Sequence, residues 1–180
     1  MVNRYTLKDI PTLKERDIFL DANILIYLFW PTGSSWAVST YSKYFSNLIK
    51  QKTSLYVDFN VISEFINRAI RLEYDKYILT NKLDKRLFPY KHYRDTQEGL
   101  DAMTDIYTAV EASILSKTQV CGKVLGQDEI LGLLTCDGLD FMDKAVLSIC
   151  QERNFVILTN DADYTSCNID ILTANSKMLS

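Results

Sequence analysis

Whatever chemistry this 180-residue chain performs must be carried by carboxylates, because it holds little else to do it with. Its single histidine, His92, sits in a basic, aromatic stretch with no Gly-x-Ser-x-Gly beside it, so a Ser-His-Asp triad has no seat. Two-histidine nucleases, histidine-rich metal sites and His-Glu-x-x-His proteases fall on the same count. The four cysteines (Cys121, Cys136, Cys150 and Cys167) stand 14 to 17 residues apart without a Cys-x-x-Cys pair. That spacing suits reduced, mostly buried thiols rather than zinc ligands.

Several acids occupy places where sequence rules would put something else. Asp21 follows Ile18-Phe19-Leu20 and precedes Ile24-Leu25-Ile26, a charge set inside an apolar run. At the carboxyl end of a strand it would open onto the crevice where α/β proteins bind ligands. It would equally serve as the N-cap of the next helix, and both readings stay open. On a helical wheel with about 100° per residue, Leu139 at 0° puts Met142, Val146, Ile149 and Cys150 on one apolar arc. Asp143 falls inside that arc, and an ionised carboxylate there is costly unless paired or bound to a metal. Asp140 lies off the arc, where a first-turn acid favours the helix dipole. Asp161 and Asp163 follow an apolar strand, although Asn160-Asp161 also has the character of a turn. Glu64 sits opposite the stripe of Ile62, Phe65, Ile66 and Ala69, with Arg68 four residues on, and periodicity alone makes it a solvated ion pair.

The elements that must position these acids alternate between short apolar strands and helices. Strands are expected at 17–20, 55–57, 155–159 and 169–172. Helices are expected from 24, over 37–50, over 59–73 behind Asp58 as N-cap, and over 99–117, 127–135 and 139–152. Residues 30–35 read as a loop by composition. The pattern is that of an α/β domain with a mainly parallel sheet covered on both faces. There is no internal repeat. With 47% hydrophobic and 12% aromatic residues and a net charge of −3, the chain has the composition of one soluble domain. At this length about 70% of the unfolded surface is buried. The longest apolar run, Ile24 to Trp30, is far short of the roughly 20 residues a membrane span needs. The amino terminus has no signal-peptide core, so a cytoplasmic location is expected. The stretch 82–94 departs from the rest: Lys82, Lys85, Arg86, Lys91 and Arg94 against Asp84 give it +4 and leave −7 elsewhere. With Phe88, Tyr90 and Tyr93 interleaved, it could hold phosphates and stack bases, or be a solvated loop between helices.

Four stretches, in order, carry a resemblance. Phe19-Leu20-Asp21-Ala22-Asn23-Ile24-Leu25-Ile26, Val61-Ile62-Ser63-Glu64-Phe65, Met142-Asp143-Lys144-Ala145-Val146 and Leu158-Thr159-Asn160-Asp161-Ala162-Asp163-Tyr164 resemble the four motifs of the PIN-domain nucleases. The nearest likeness is to the VapC-type ribonuclease toxins of toxin–antitoxin pairs, and it spans residues 19–164. It implies a single PIN-like three-layer α/β/α domain over residues 1–180, with 1–16 as an amino-terminal extension and a helical insertion around 74–98. It implies Asp21, Glu64, Asp143 and Asp161 as catalytic and metal-binding acids, with Asn23 and Thr159 in support and Asp163 as an auxiliary. Glu64 enters this set through the resemblance alone.

Four carboxylates in one crevice repel each other, each pair by roughly 3 kcal/mol at about 5 Å and an effective dielectric of about 20. A divalent cation relieves that repulsion, and all-oxygen donors select Mg²⁺ or Mn²⁺ over zinc. Such an ion can activate water against a phosphodiester. The expectation is therefore a metal-dependent endoribonuclease, with Lys85, Arg86, Lys91 and Arg94 as a basic rim for RNA. The implied partners are an RNA substrate and a small antitoxin protein, with homodimerisation left open. A haloacid-dehalogenase-type phosphatase would need an aspartate where Asn23 stands. A non-catalytic PIN-like module that binds nucleic acid or protein, and a PIN nuclease that is not a toxin, are the remaining alternatives.

Overall fold

Strands that are apolar on every side chain must be covered on both faces, and β2 (Ile18–Leu20) and β5 (Val156–Leu158) are buried at every residue. A computed structural model of the chain describes residues 2–31, 33 and 35–179. Its other strands are β1 (Arg4–Tyr5), β3 (Leu55–Asp58), β4 (Gln119–Cys121) and β6 (Ile171–Leu172). All six pair in parallel in one sheet, in the order β1-β6-β5-β2-β3-β4. The register sets Leu20 beside Leu158, so the residues that follow β2 and β5 emerge side by side.

The helices are α1 (Ala22–Phe29), α2 (Ser35–Gln51), α3 (Phe59–Thr80), α4 (Tyr90–Arg94), α5 (Gln97–Ala109), α6 (Gln127–Leu133) and α7 (Phe141–Glu152). Parallel crossovers are right-handed, so connections stepping one way across a sheet lay their helices on one face, and return steps use the other. The steps β2 to β3 to β4 carry α1 to α5, where α1 packs on α2 and α3, and α3 on α5. The return from β4 to β5 carries α6 and α7, which pack on each other. The chain is thus an α/β protein with its parallel sheet between two helical layers, as expected. Between β2 and β5 the connections diverge, one toward β3 and the other toward β6. That divergence is the switch point at which such sheets open a crevice beyond the strand ends.

The element boundaries depart from the periodicity in particular places. Helix α3, expected to end at 73, continues to Thr80 because Tyr74 and Ile78 extend its buried stripe. After Ala109 the helix loosens into a π-helical segment over Val110–Leu115. Strands β1 and β4 were not expected: each is an edge strand of two or three residues, and β4 begins on an exposed glutamine. The amino-terminal sixteen residues are built into the core, with β1 pairing β6 and Ile10 and Leu13 buried. The segment 74–98 comprises the end of α3, a loop and α4, and Tyr74, Ile78 and Tyr93 join the same core. In the expected loop at 30–35, Thr32 and Ser34 lie outside the described residues, and Ser35 already belongs to α2. All four cysteines are free thiols; Cys150 and Cys167 are buried, Cys121 is half-buried and Cys136 exposed.

Candidate active site

Asp21 does both of the things its position allowed. As N-cap of α1, it accepts a hydrogen bond at Oδ1 from the Ala22 amide at 2.7 Å. Its backbone amide also donates to the Leu158 carbonyl at 3.1 Å, which pins it to the end of β5. Its Oδ2 accepts from Asn23 Nδ2 and from the Thr159 hydroxyl, each at 2.5 Å. Asn23 Nδ2 also donates to Thr159 Oγ1 at 3.2 Å, and Asn23 Oδ1 accepts from the Asn160 amide at 3.2 Å. Thr159 Oγ1 in turn accepts from the Asp161 amide at 2.9 Å. One buried network therefore ties the first acid to the loop bearing the fourth, and both expected supporting residues belong to it.

Helix α7 precedes β5 and runs against it, so it begins over the carboxyl ends of the strands. Asp140 caps it, accepting from the Asp143 amide at 2.9 Å. Asp143, one turn in, is half-buried, and its Oδ1 accepts from the Tyr164 hydroxyl at 2.9 Å. Helix α3 starts at the same edge, with Asp58 as N-cap accepting from the Val61 amide at 2.8 Å. Glu64 stands exposed in its second turn, paired with Arg68 at 3.2 Å as helix periodicity indicated. Asp161 caps a short 3-10 turn and accepts from the Asp163 amide at 3.0 Å.

Asp21, Asn23, Glu64, Asp143 and Asp161 all line one crevice of about 450 Å³, together with Asn60, Asn67, Arg68, Asp140 and Met142. Asp163 is exposed and does not line it. The acids sense one another. Burial pushes the Asp21 carboxyl up to about 7, opposed by its bonds to Thr159 and Ala22 and reinforced by Glu64 and Asp143. Burial likewise raises Asp143 to about 6, opposed by the Tyr164 hydrogen bond and reinforced by Asp140, Asp161 and Glu64. Among the described residues, no three such side chains stand close enough to hold a metal ion between them as placed, and Glu64 is engaged by Arg68. In donor type the set fits a hard divalent cation, because every acidic side chain at the crevice is an oxygen donor and the most buried one lacks a counter-charge. No family model and no curated protein matches this chain.

Some residues at the site were not picked out from the sequence. Tyr164 is 1% exposed, with its hydroxyl on Asp143. The available signal was a tyrosine closing the last motif, since a buried phenol needs a polar partner. Lys144 is 6% exposed despite its charge and does not line the crevice. Its Nζ donates to the Leu133 and Thr135 carbonyls and pairs with Asp137 at 2.8 Å, stitching the α6–α7 connection to α7. Met142, expected on the buried arc, is 41% exposed at the crevice rim.

The basic stretch lies elsewhere. None of Lys85, Arg86, Lys91 and Arg94 lines the crevice. Lys85 pairs with Asp75 at 2.7 Å and Arg86 with Asp84 at 2.8 Å, while Lys91 and Arg94 are exposed on α4. The interleaved aromatics turn inward: Tyr93 is 2% exposed and packs on Tyr74 and Tyr77, and Phe88 stacks on Tyr77. Of the two readings left open, base platform or solvated loop, neither describes these rings, which pack into the core.

Proposed function

We propose that this chain is a PIN-like, VapC-type metal-dependent endoribonuclease that cuts RNA at the crevice between β2 and β5, and that it is the toxin of a toxin–antitoxin pair acting in the cytoplasm. One observation carries the reading: four acids from four separate stretches of chain reach a single solvent-open crevice at the switch point of a parallel sheet. That convergence follows the order and strand–helix context of the four motifs. In this reading Asp21 and Asp143, with Glu64 and Asp161, would hold Mg²⁺ or Mn²⁺. Once bound, the ion would supply charge neutralisation and a more acidic water.

The chain's own residues prepare the rest. Thr159 and Asn23 hold Asp21 Oδ2, and the Ala22 amide holds Oδ1, so this carboxylate is fixed before any ligand arrives. Tyr164 donates to Asp143 Oδ1, which orients this carboxylate at the crevice and favours its charged form. Asn60 and Asn67 put neutral amides on the α3 wall where further carboxylates would repel phosphate; each Nδ2 already donates once, to Asp58 Oδ2 at 2.9 Å and to Ser63 Oγ at 3.5 Å, and keeps a second N–H. The partners in this reading are RNA, a small antitoxin and, where the domain pairs, a second copy.

A second reading, a non-catalytic module that binds nucleic acid or protein, has its own support in the Glu64–Arg68 pair and in the spread of the acids. Incubation with structured RNA and Mg²⁺ or Mn²⁺, with and without chelator, separates the two. The nuclease reading expects chelator-sensitive cutting that Asp21→Asn and Asp143→Asn abolish, and a metal-dependent rise in melting temperature lost in the same variants. Cutting that survives both substitutions removes the site. The toxin assignment expects growth arrest on expression of the wild type and none from either variant; harmless wild-type expression leaves a nuclease of another role.

A further inference from the structure

The crevice is acidic on nearly every wall, yet a polyanion must enter it. Of its lining side chains Arg68 alone is cationic, and Arg68 also lines a second groove farther along the same side of α3. This neighbour has a volume of about 290 Å³, and its walls are of a different kind. Ile26 and Tyr27 from α1, Val38 from α2 and Leu72 from α3 make it largely apolar, and Arg71 supplies a second guanidinium. The Tyr27 ring is fixed, stacked on Tyr41 at 5.7 Å with its hydroxyl accepting from Asn160 Nδ2 at 3.3 Å. Arg71 is exposed and lies 5.1 Å over the Tyr90 ring, and Asp75 on the same rim brings Lys85 within 2.7 Å.

We infer that this groove receives the base of a nucleotide flanking the scissile phosphate of a single-stranded RNA, with Arg68 and Arg71 taking the phosphates on either side of it. The inference rests on the ribonuclease reading and names the subsite that selects its substrate. Three features select a nucleotide over a protein segment. The volume suits one base and its sugar, the walls combine an aromatic ring with aliphatic side chains as a base platform requires, and the flanking charges are guanidiniums suited to phosphate. Continuity with the acid crevice through Arg68 places this nucleotide next to the bond to be cut. Phosphate at Arg68 would also compete with Glu64 for the guanidinium, so substrate entry would free Glu64 toward the crevice.

The test pairs Arg71→Ala, at an exposed position, with Val38→Phe, which narrows the groove, in the full-length chain. Single-stranded oligoribonucleotide binding is measured by fluorescence anisotropy in chelator, and cleavage of a randomised RNA pool is sequenced in Mg²⁺. Arg71→Ala is expected to weaken binding about 5- to 10-fold and to raise KM with kcat within twofold of wild type. Val38→Phe is expected to change the base preference on one side of the cut. Unchanged affinity and KM in Arg71→Ala, whatever the behaviour of Val38→Phe, would overturn the assignment and leave the groove to a protein segment. Wild type that neither binds nor cuts any RNA removes the ribonuclease reading itself, a result distinct from variants that match an active wild type.

Discussion

The residue that governs this site electrostatically is Asp21, and its behaviour has a definite sign. Its folded-state acidity lies near 7 against an ordinary 3.8, so between those values the native chain holds a proton that the unfolded chain has released. The stability this contributes is full below about pH 4 and is lost as pH climbs through about 7. At about 1.4 kcal/mol per unit the loss is on the order of 4 kcal/mol, and Asp143, raised to about 6, adds in the same direction. In metal-free buffer the melting temperature of Asp21→Asn relative to wild type should therefore climb by about 5–10 °C between pH 5 and pH 8. A gap that stays constant with pH means Asp21 is not a proton-holding group. Tyr164→Phe addresses the partner acid. Without the phenol Asp143 loses the hydrogen bond that favours its charged form, so if the proposed ribonuclease reading holds, RNA cutting should fall more than tenfold at low Mg²⁺ and recover as Mg²⁺ is raised. The accompanying stability loss should be only about 1–2 kcal/mol, because the ring stays in the core. Asp21 and Asp143 were legible in the sequence because each breaks an apolar pattern. Tyr164 was hidden because a tyrosine in the polar stretch Asp163-Tyr164-Thr165-Ser166 reads as exposed, and its partner Asp143 stands 21 residues away.

At the scale of elements, the signals that succeeded were local and periodic. Asp58 was expected to cap α3 and does so, and the stripe of Phe65, Ala69 and Ile70 faces the core as its spacing requires. What the sequence did not announce depended on partners that local periodicity does not reveal. Edge strand β4 exists because Val57 and Asp58 stand beside Val120 and Cys121, which the three residues of β4 cannot announce. In the basic stretch Lys85 meets Asp75 and Arg86 meets Asp84, pairings that a charge count does not locate, while Lys91 and Arg94 stay exposed. Lys144 makes the same point in reverse, since a lysine on a helix face is ordinarily a solvated one. Its amine reaches the Leu133 and Thr135 carbonyls and Asp137, all within the connection entering α7. Lys144→Met keeps the stem in place and removes only those bonds, so global stability should change by less than about 2 kcal/mol. Amide hydrogen exchange over residues 133–140 should nevertheless rise at least tenfold, because that opening is local. Uniform exchange across wild type and variant would show that the amine does not hold this connection.

For the molecule as a whole, the question is whether the amino-terminal sixteen residues are an appendage or part of one cooperative unit. Read against the family resemblance they were extra, yet their side chains are placed as core. Arg4 and Tyr5 add the sixth strand, and the Arg4 guanidinium donates to the carbonyls of Ile169 and Thr165, each at 2.8 Å. Ile10 and Leu13 are 2% and 1% exposed on the 3-10 turn Leu7–Leu13, which packs against α2. Through α2, whose Tyr41 hydroxyl donates to Asn160 Oδ1 at 2.8 Å, this layer reaches the loop that carries Thr159 and Asp161. An appendage would tolerate Leu13→Ala at little cost. A core position loses about 2–5 kcal/mol, the transfer term of the removed atoms together with the cavity left behind. Against a whole-domain stability of about 5–15 kcal/mol, that is a large fraction. Chemical denaturation of Leu13→Ala should therefore give a single transition at markedly lower denaturant, with an unchanged m-value and no early step belonging to the amino terminus alone. A separate early transition, or a loss below about 1 kcal/mol, would detach this segment from the unit that holds the crevice together.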